Sequence, residues 1–120
     1  SGLGIKGSID KKTFNEIISN QSKLENMIID FKPGRIGIEL PDKHLKLSGI
    51  FIVQEWHVLK FQAQEGFFYD MPLEVGSLEE LFRENQLALD LEPLLQGSTL
   101  QSVEIKEDVL ELMIKLNFFQ

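Results

Sequence analysis

Cysteine is absent from this chain of 120 residues. That excludes disulfide frameworks, thiolate zinc centres and cysteine nucleophiles together, but it assigns no compartment. Proline is scarce, with four residues, and no Pro- or Ser-rich linker or internal repeat divides the chain, so one domain over 1–120 is expected. No apolar run approaches the roughly 18 to 20 residues of a membrane-spanning helix, so no span is expected. The opening Ser1-Gly2-Leu3-Gly4 has no basic region ahead of an apolar stretch, so no signal peptide is expected within these residues. With no initiator Met and small first residues, it reads as a chain trimmed upstream, where an exporting or tethering segment is one expectation.

Basic side chains are scarce in the second half. Residues 61–120 carry three against twelve acids, while residues 1–60 carry nine against seven, for a net charge of −7. A chain of this sign repels a phosphate backbone, which argues against nucleic acid as a partner. Its plainest consequence is solubility.

Assembled chemistry is also missing. His44 lies in a turn and His57 at the start of a strand. No nucleophile-elbow motif occurs, and the two imidazoles lack the spacing of a helical zinc pair. Glu79-Glu80 and the set Glu104, Glu107 and Asp108 do not follow a calcium loop, and Glu79 and Glu80 read as first-turn acids facing a helix dipole. The segment Gly2-Leu3-Gly4-Ile5-Lys6-Gly7 looks like a phosphate loop without a strand before it. We expect no catalytic residue, no metal, no cofactor and no enzymatic activity.

What is present is pattern. The apolar fraction is 42% with mean hydropathy −0.07, enough for a core. A helix begins after Asp10, which can cap it; Ile9 and Phe14 form a hydrophobic staple, and Phe14, Ile17 and Ile18 its apolar face. The polar run Ser19 to Ser22 ends it. From Leu24 to Val75 the period becomes two. Met27, Ile29 and Phe31 alternate up to Pro33-Gly34, then Ile36, Ile38 and Leu40 up to Pro41-Asp42-Lys43-His44. Leu45 and Leu47 begin a third strand, in which Gly49 marks a bulge or close approach. Val58 to Ala63 and Phe67 to Val75 are read as a fourth and a fifth strand.

Ser77-Leu78-Glu79-Glu80 reads as a capping box opening a second helix that ends near Asn85. Leu87 to Leu91 is ambiguous between strand and helix. Leu100 to Lys106 and Leu110 to Phe118 form a hairpin across Glu107-Asp108. The fold class is therefore α+β: N-terminal helix, curved and mostly antiparallel β-meander, second short helix, C-terminal β-hairpin.

The functional signal is apolar. Phe67-Phe68-Tyr69 and Ile50-Phe51-Ile52-Val53 place large groups on both faces of a sheet, because neighbouring side chains point opposite ways. Either the chain covers both faces itself, or one face covers a ligand or a partner.

Ile9-Asp10-Lys11-Lys12-Thr13-Phe14-Asn15-Glu16-Ile17-Ile18, followed by Ile36-Gly37-Ile38-Glu39-Leu40 and Leu45-Lys46-Leu47-Ser48-Gly49, resembles the small bacterial members of the tubular lipid-binding superfamily. Leu100 to Ile105 with Val109 to Leu112 is similar to their closing hairpin. The resemblance is one of element order. It implies a strongly curved sheet wrapped around a long helix, an apolar groove for lipid chains, and an exported or membrane-tethered protein.

The expected function is a non-enzymatic binding domain for a lipid or another apolar small molecule. Phe51, Phe61, Phe67, Tyr69 and Met71 are expected to line the groove, with Trp56 at its mouth, and Phe61→Asp to abolish uptake while leaving the helices formed. The alternative is a protein-interaction or homodimerising module that pairs through an exposed sheet face or edge, such as Leu110 to Phe118.

Overall fold

A strand comes first, ahead of the helix on which the sequence pattern opens. In the computed structural model, which describes residues 2–21, 26–84 and 86–117, β1 (Gly2–Asp10) pairs antiparallel with the last strand along its whole length. Leu3, Ile5 and Ile9 alternate as a strand requires, but three glycines dilute the signal. At its end the Asp10 carboxylate accepts the Thr13 amide at 2.7 Å, and α1 (Lys11–Gln21) begins. Ile9 and Phe14 are both buried, as the staple predicts. Leu24, expected to open the meander, lies outside the described residues.

The meander curls into an antiparallel half-barrel around α1. Its order is β2 (Ile28–Lys32), β3 (Arg35–Leu40), β4 (Leu45–Gln54), β5 (Val58–Phe68) and β6 (Met71–Pro72). Gly34, at φ +73°, turns β2 into β3. Pro41–Lys43 forms one 3-10 turn. Then come α2 (Val75–Glu84), β7 (Ala88–Asp90), α3 (Glu92–Leu95), β8 (Thr99–Lys106) and β9 (Val109–Asn117). The ambiguous segment 87–91 thus resolves into a short strand, paired with the start of β5. β1, β9 and β8 form a separate three-stranded sheet. It closes on the half-barrel through backbone bonds, with Gly34 N–H donating to Ile105 O at 2.7 Å and Leu100 N–H to Trp56 O at 2.8 Å.

One buried cluster joins both sheets and α1. Phe14 stands at its centre, fully buried, with its ring edge-on to Phe31 at 5.0 Å and tilted against Phe51 at 5.6 Å.

Gly49 does mark an irregularity. Ser48 pairs with Glu65 but Gly49 with Ala63, so Gln64 is an extra residue on β5. A Cβ on Gly49 would press into the Gln62 carbonyl oxygen and lie 3.0 Å from Ala63 Cα. Only glycine lets the strands close there.

Three sequence expectations need correction. The fourth and fifth strands are one, since β5 runs through Gly66; that residue ends nothing, because it lies buried with Leu47 and Leu78 above it. The strand read over Phe67–Val75 breaks at Tyr69 and Asp70, whose φ values of 48° and 62° form a two-residue turn between Phe68 and Met71. Positive φ at both positions matches the sheet twist. Tyr69 is held there by His44, its N–H donating to His44 O at 3.0 Å and its ring stacked on the imidazole at 4.0 Å. Finally, α2 starts before Ser77: Leu78 N–H donates to Glu74 O at 3.1 Å, so Ser77 lies within the first turn, which carries no acid. The expected end at Asn85 falls outside the described residues.

Candidate functional site

The outer edge of β5 is only partly paired. β7 covers Val58 to Lys60 and β6 covers Phe67 and Phe68. Between them, Phe61 N–H donates to Leu87 O and Gly66 O accepts Leu73 N–H, both at 2.8 Å. Because Phe61 N–H points away from β4, the amide and carbonyl of Ala63, two residues on, point the same way. α2 lies along this gap, with Phe82 edge-on to Phe61 at 5.8 Å and Leu78 buried beside Gly66.

The span between α2 and β5 leaves a cleft of about 650 Å³. Phe61 and Ala63 line it from β5, and Leu78 and Phe82 from α2. Ile52 and Val75 carry the apolar lining out to exposed surface. Lys60 and Arg83, with Glu79 and the amides of Gln62, Gln64 and Gln86, form a polar rim. A second, wholly apolar cavity of about 30 Å³ lies deeper, between α1 and the sheet, with Phe51 and Phe61 in its wall. That is room for roughly one or two waters, too little for a lipid chain.

Of the six residues expected to line a groove, the structure brings together Phe51 and Phe61, whose rings meet edge-on at 6.5 Å. Phe61 is 3% exposed and separates the deep cavity from the cleft, so Phe61→Asp would place a charge in the core and could not leave the fold intact. Phe67 pairs with Lys46 on the convex side. Its even spacing from Phe61 predicts a shared face, but the extra Gln64 reverses the alternation. Tyr69 and Met71, 56% and 59% exposed, stand at the β5–β6 turn. Trp56, 40% exposed, stands at the β4–β5 turn, the opposite end of β5. These four do not converge with Phe51 and Phe61. Of the cleft residues not assigned to a site from sequence, Leu78 and Phe82 stand four apart on one apolar stripe of α2 with Leu81, while Lys60 and Arg83 belong to no shared local pattern. The apolar stripe of α2 was legible, but its seat on the β5 edge was not.

The principal polar cluster has a structural role. The His57 Nδ1–H donates to Asp90 Oδ1 at 2.8 Å, and the Glu92 amide donates to the same oxygen at 2.9 Å. Asp90 N–H and O are matched by the Gln21 amide, both at 2.9 Å. One residue therefore clasps α1, the β4–β5 turn and α3. The Asp90 bond holds the imidazole pKa above its ordinary value, aided by the charges of Asp90, Glu92 and Glu55 and opposed by burial. The Glu92 amide and then His57 hold the Asp90 carboxyl below its own. His57, Asp90 and Glu92 place ligating atoms within 4.8 Å of one another, the one grouping among the described residues that could face a metal, yet the Asp90 oxygen is already engaged twice.

β9, which contains the edge expected to dock a partner, is the middle strand of its sheet. Its terminal Phe118-Phe119 lies outside the described residues. The open edge is β1, where Leu3 and Ile5 are exposed. Among the described residues no helix is long and apolar enough to cross a membrane.

No protein-family model, curated protein or solved structure matches the chain.

Proposed function

We propose that this chain is a non-enzymatic binding domain that takes an apolar or lipid-like ligand in the cleft between α2 and β5. The observation that carries the reading is the cleft itself. Its volume of about 650 Å³ lies within the roughly 300–1,000 Å³ of small-molecule sites; its lining divides evenly between apolar and polar residues, a more polar composition than such sites usually have. The tubular lipid-binding resemblance implies a strongly curved sheet wrapped around a long helix; the sheet here is curled, but α1 has 11 residues, so only the curvature agrees. It supports the reading without locating a ligand.

Nile red, a neutral apolar dye, tests it. The wild type is expected to bind the dye with a blue-shifted emission. Gln62→Trp, an exposed strand position on the cleft rim, is expected to fill the space and weaken binding at least about fivefold, the scale of one buried apolar group, without altering the circular dichroism. A folded Gln62→Trp protein that binds the dye as the wild type does would remove the cleft as the site.

A second reading, assembly through a sheet edge, has one specific support. Among the described residues β1 has an edge that no other strand pairs, without proline, and exposed Leu3 and Ile5 flank it; edges of this kind invite strand addition. A dimer in native mass spectrometry that dissociates on Ile5→Lys would favour it.

A further inference from the structure

Most described cations in this acidic chain have a carboxylate partner. Lys6, Lys11, Lys32, Arg35, Lys46 and Lys106 are ion-paired. Lys12, Lys43, Lys60, Arg83 and Lys115 pair with no carboxylate of the described residues, and two of these five line the same cleft. Lys60 approaches from the convex face of β5 beside Gln62, and Arg83 from the last turn of α2. Among the described residues lining the cleft, Glu79 is the one acid, and it makes no ion pair with Arg83, one turn away. The described residues of the rim therefore carry a net charge of +1 above an apolar floor, in a chain of net charge −7.

We propose that the cleft selects a single acyl chain ending in a carboxylate, with the chain on Ala63, Val75 and Phe82 and the carboxylate against Lys60 and Arg83. This rests on the cleft reading above and names the ligand class. A guanidinium presents a planar fork that matches a carboxylate. The three glutamines of the rim add amide donors. The rim's single net charge fits a monoanion rather than the dianion of a phosphate ester.

Displacement of Nile red by dodecanoate, dodecanol and dodecyl phosphate tests the inference. Dodecanoate is expected to displace the dye at about tenfold lower concentration than dodecanol, the size of two partly exposed charge contacts. Lys60→Gln with Arg83→Gln should bring dodecanoate to the level of dodecanol and leave dodecanol unchanged. Added salt should close the same gap in the wild type. Lys60→Glu with Arg83→Glu should reverse the preference toward dodecylammonium. Equal displacement by acid and alcohol in the wild type, or an acid preference that survives the double glutamine variant, overturns the carboxylate assignment while the apolar cleft stands. Stronger displacement by dodecyl phosphate overturns the choice of head group. Displacement by none of the three removes the ligand class together with the cleft reading.

Discussion

Replacing Gly49 by alanine tests the bulge on which the geometry of β5 depends. The added methyl would overlap the Gln62 carbonyl oxygen and come within 2.9 Å of its carbonyl carbon and 3.0 Å of Ala63 Cα. These are backbone atoms of a paired strand, so no side chain can rotate away. β4 and β5 must part at the point where Gln64 is accommodated. Overpacking a well-filled site costs about 1–3 kcal/mol, and a backbone obstacle argues for the upper end, about 3 kcal/mol. Unfolding entropy is about 2.1 cal/mol/K per residue, so a chain of this length should lose about 12 °C of melting temperature. Urea unfolding followed by circular dichroism would show the midpoint fall with little change in slope. Gly4→Ala is the control, because nothing lies within 4 Å of a Cβ there; its stability should stay within about 0.5 kcal/mol of wild type or rise slightly. A Gly49→Ala protein as stable as wild type, or an equal loss in Gly4→Ala, would refute the close approach.

Phe14→Ala empties the centre of the core and should cost about 4 kcal/mol in chemical denaturation, whereas Phe14→Leu should cost well under half of that. Asp10→Ala removes the cap of α1 and should lower the melting temperature by about 2–8 °C, the range of a lost cap in a domain of this size. The His57–Asp90 clasp makes stability depend on pH in a set direction. His57 is raised above 6.5 in the fold, so its contribution is complete below that value and is lost as pH rises through the folded pKa. Asp90 is lowered below 3.8, so its contribution is complete above that value and is lost as pH falls through its folded pKa. The clasp is therefore strongest between about pH 4 and 6.5. The melting-temperature difference between wild type and His57→Gln should shrink from pH 6 to pH 8, and a difference that grows would contradict the assignment.

Local chemistry was legible in the residues themselves. The start of α1 depends on Asp10 and the amide three residues ahead, and the β2–β3 turn on Pro33-Gly34. The β8–β9 hairpin rests on an alternation that any strand of that composition would show. Gly49 announced an irregularity because an interior glycine in an apolar strand has few other uses. For the cap and the turn the interacting atoms lie within a few residues of one another; for Gly49 and the hairpin the residue types mark the feature, although the partners are more distant.

Tertiary structure decided the rest, because the partners are distant in sequence. β1 is a strand only because β9, at the far end of the chain, pairs with its glycine-diluted pattern. Gly66 continues β5 instead of ending it because Leu47 and Leu78 occupy the space a side chain would need. Phe67 left the face of Phe61 because one extra residue reversed the alternation, and the pattern of apolar residues carries no mark of which strand absorbs it. The cleft, with Lys60 and Arg83 on its rim, exists because α2 settles over the unpaired middle of β5. Periodicity fixes which face of a helix is apolar; packing alone fixes what that face meets.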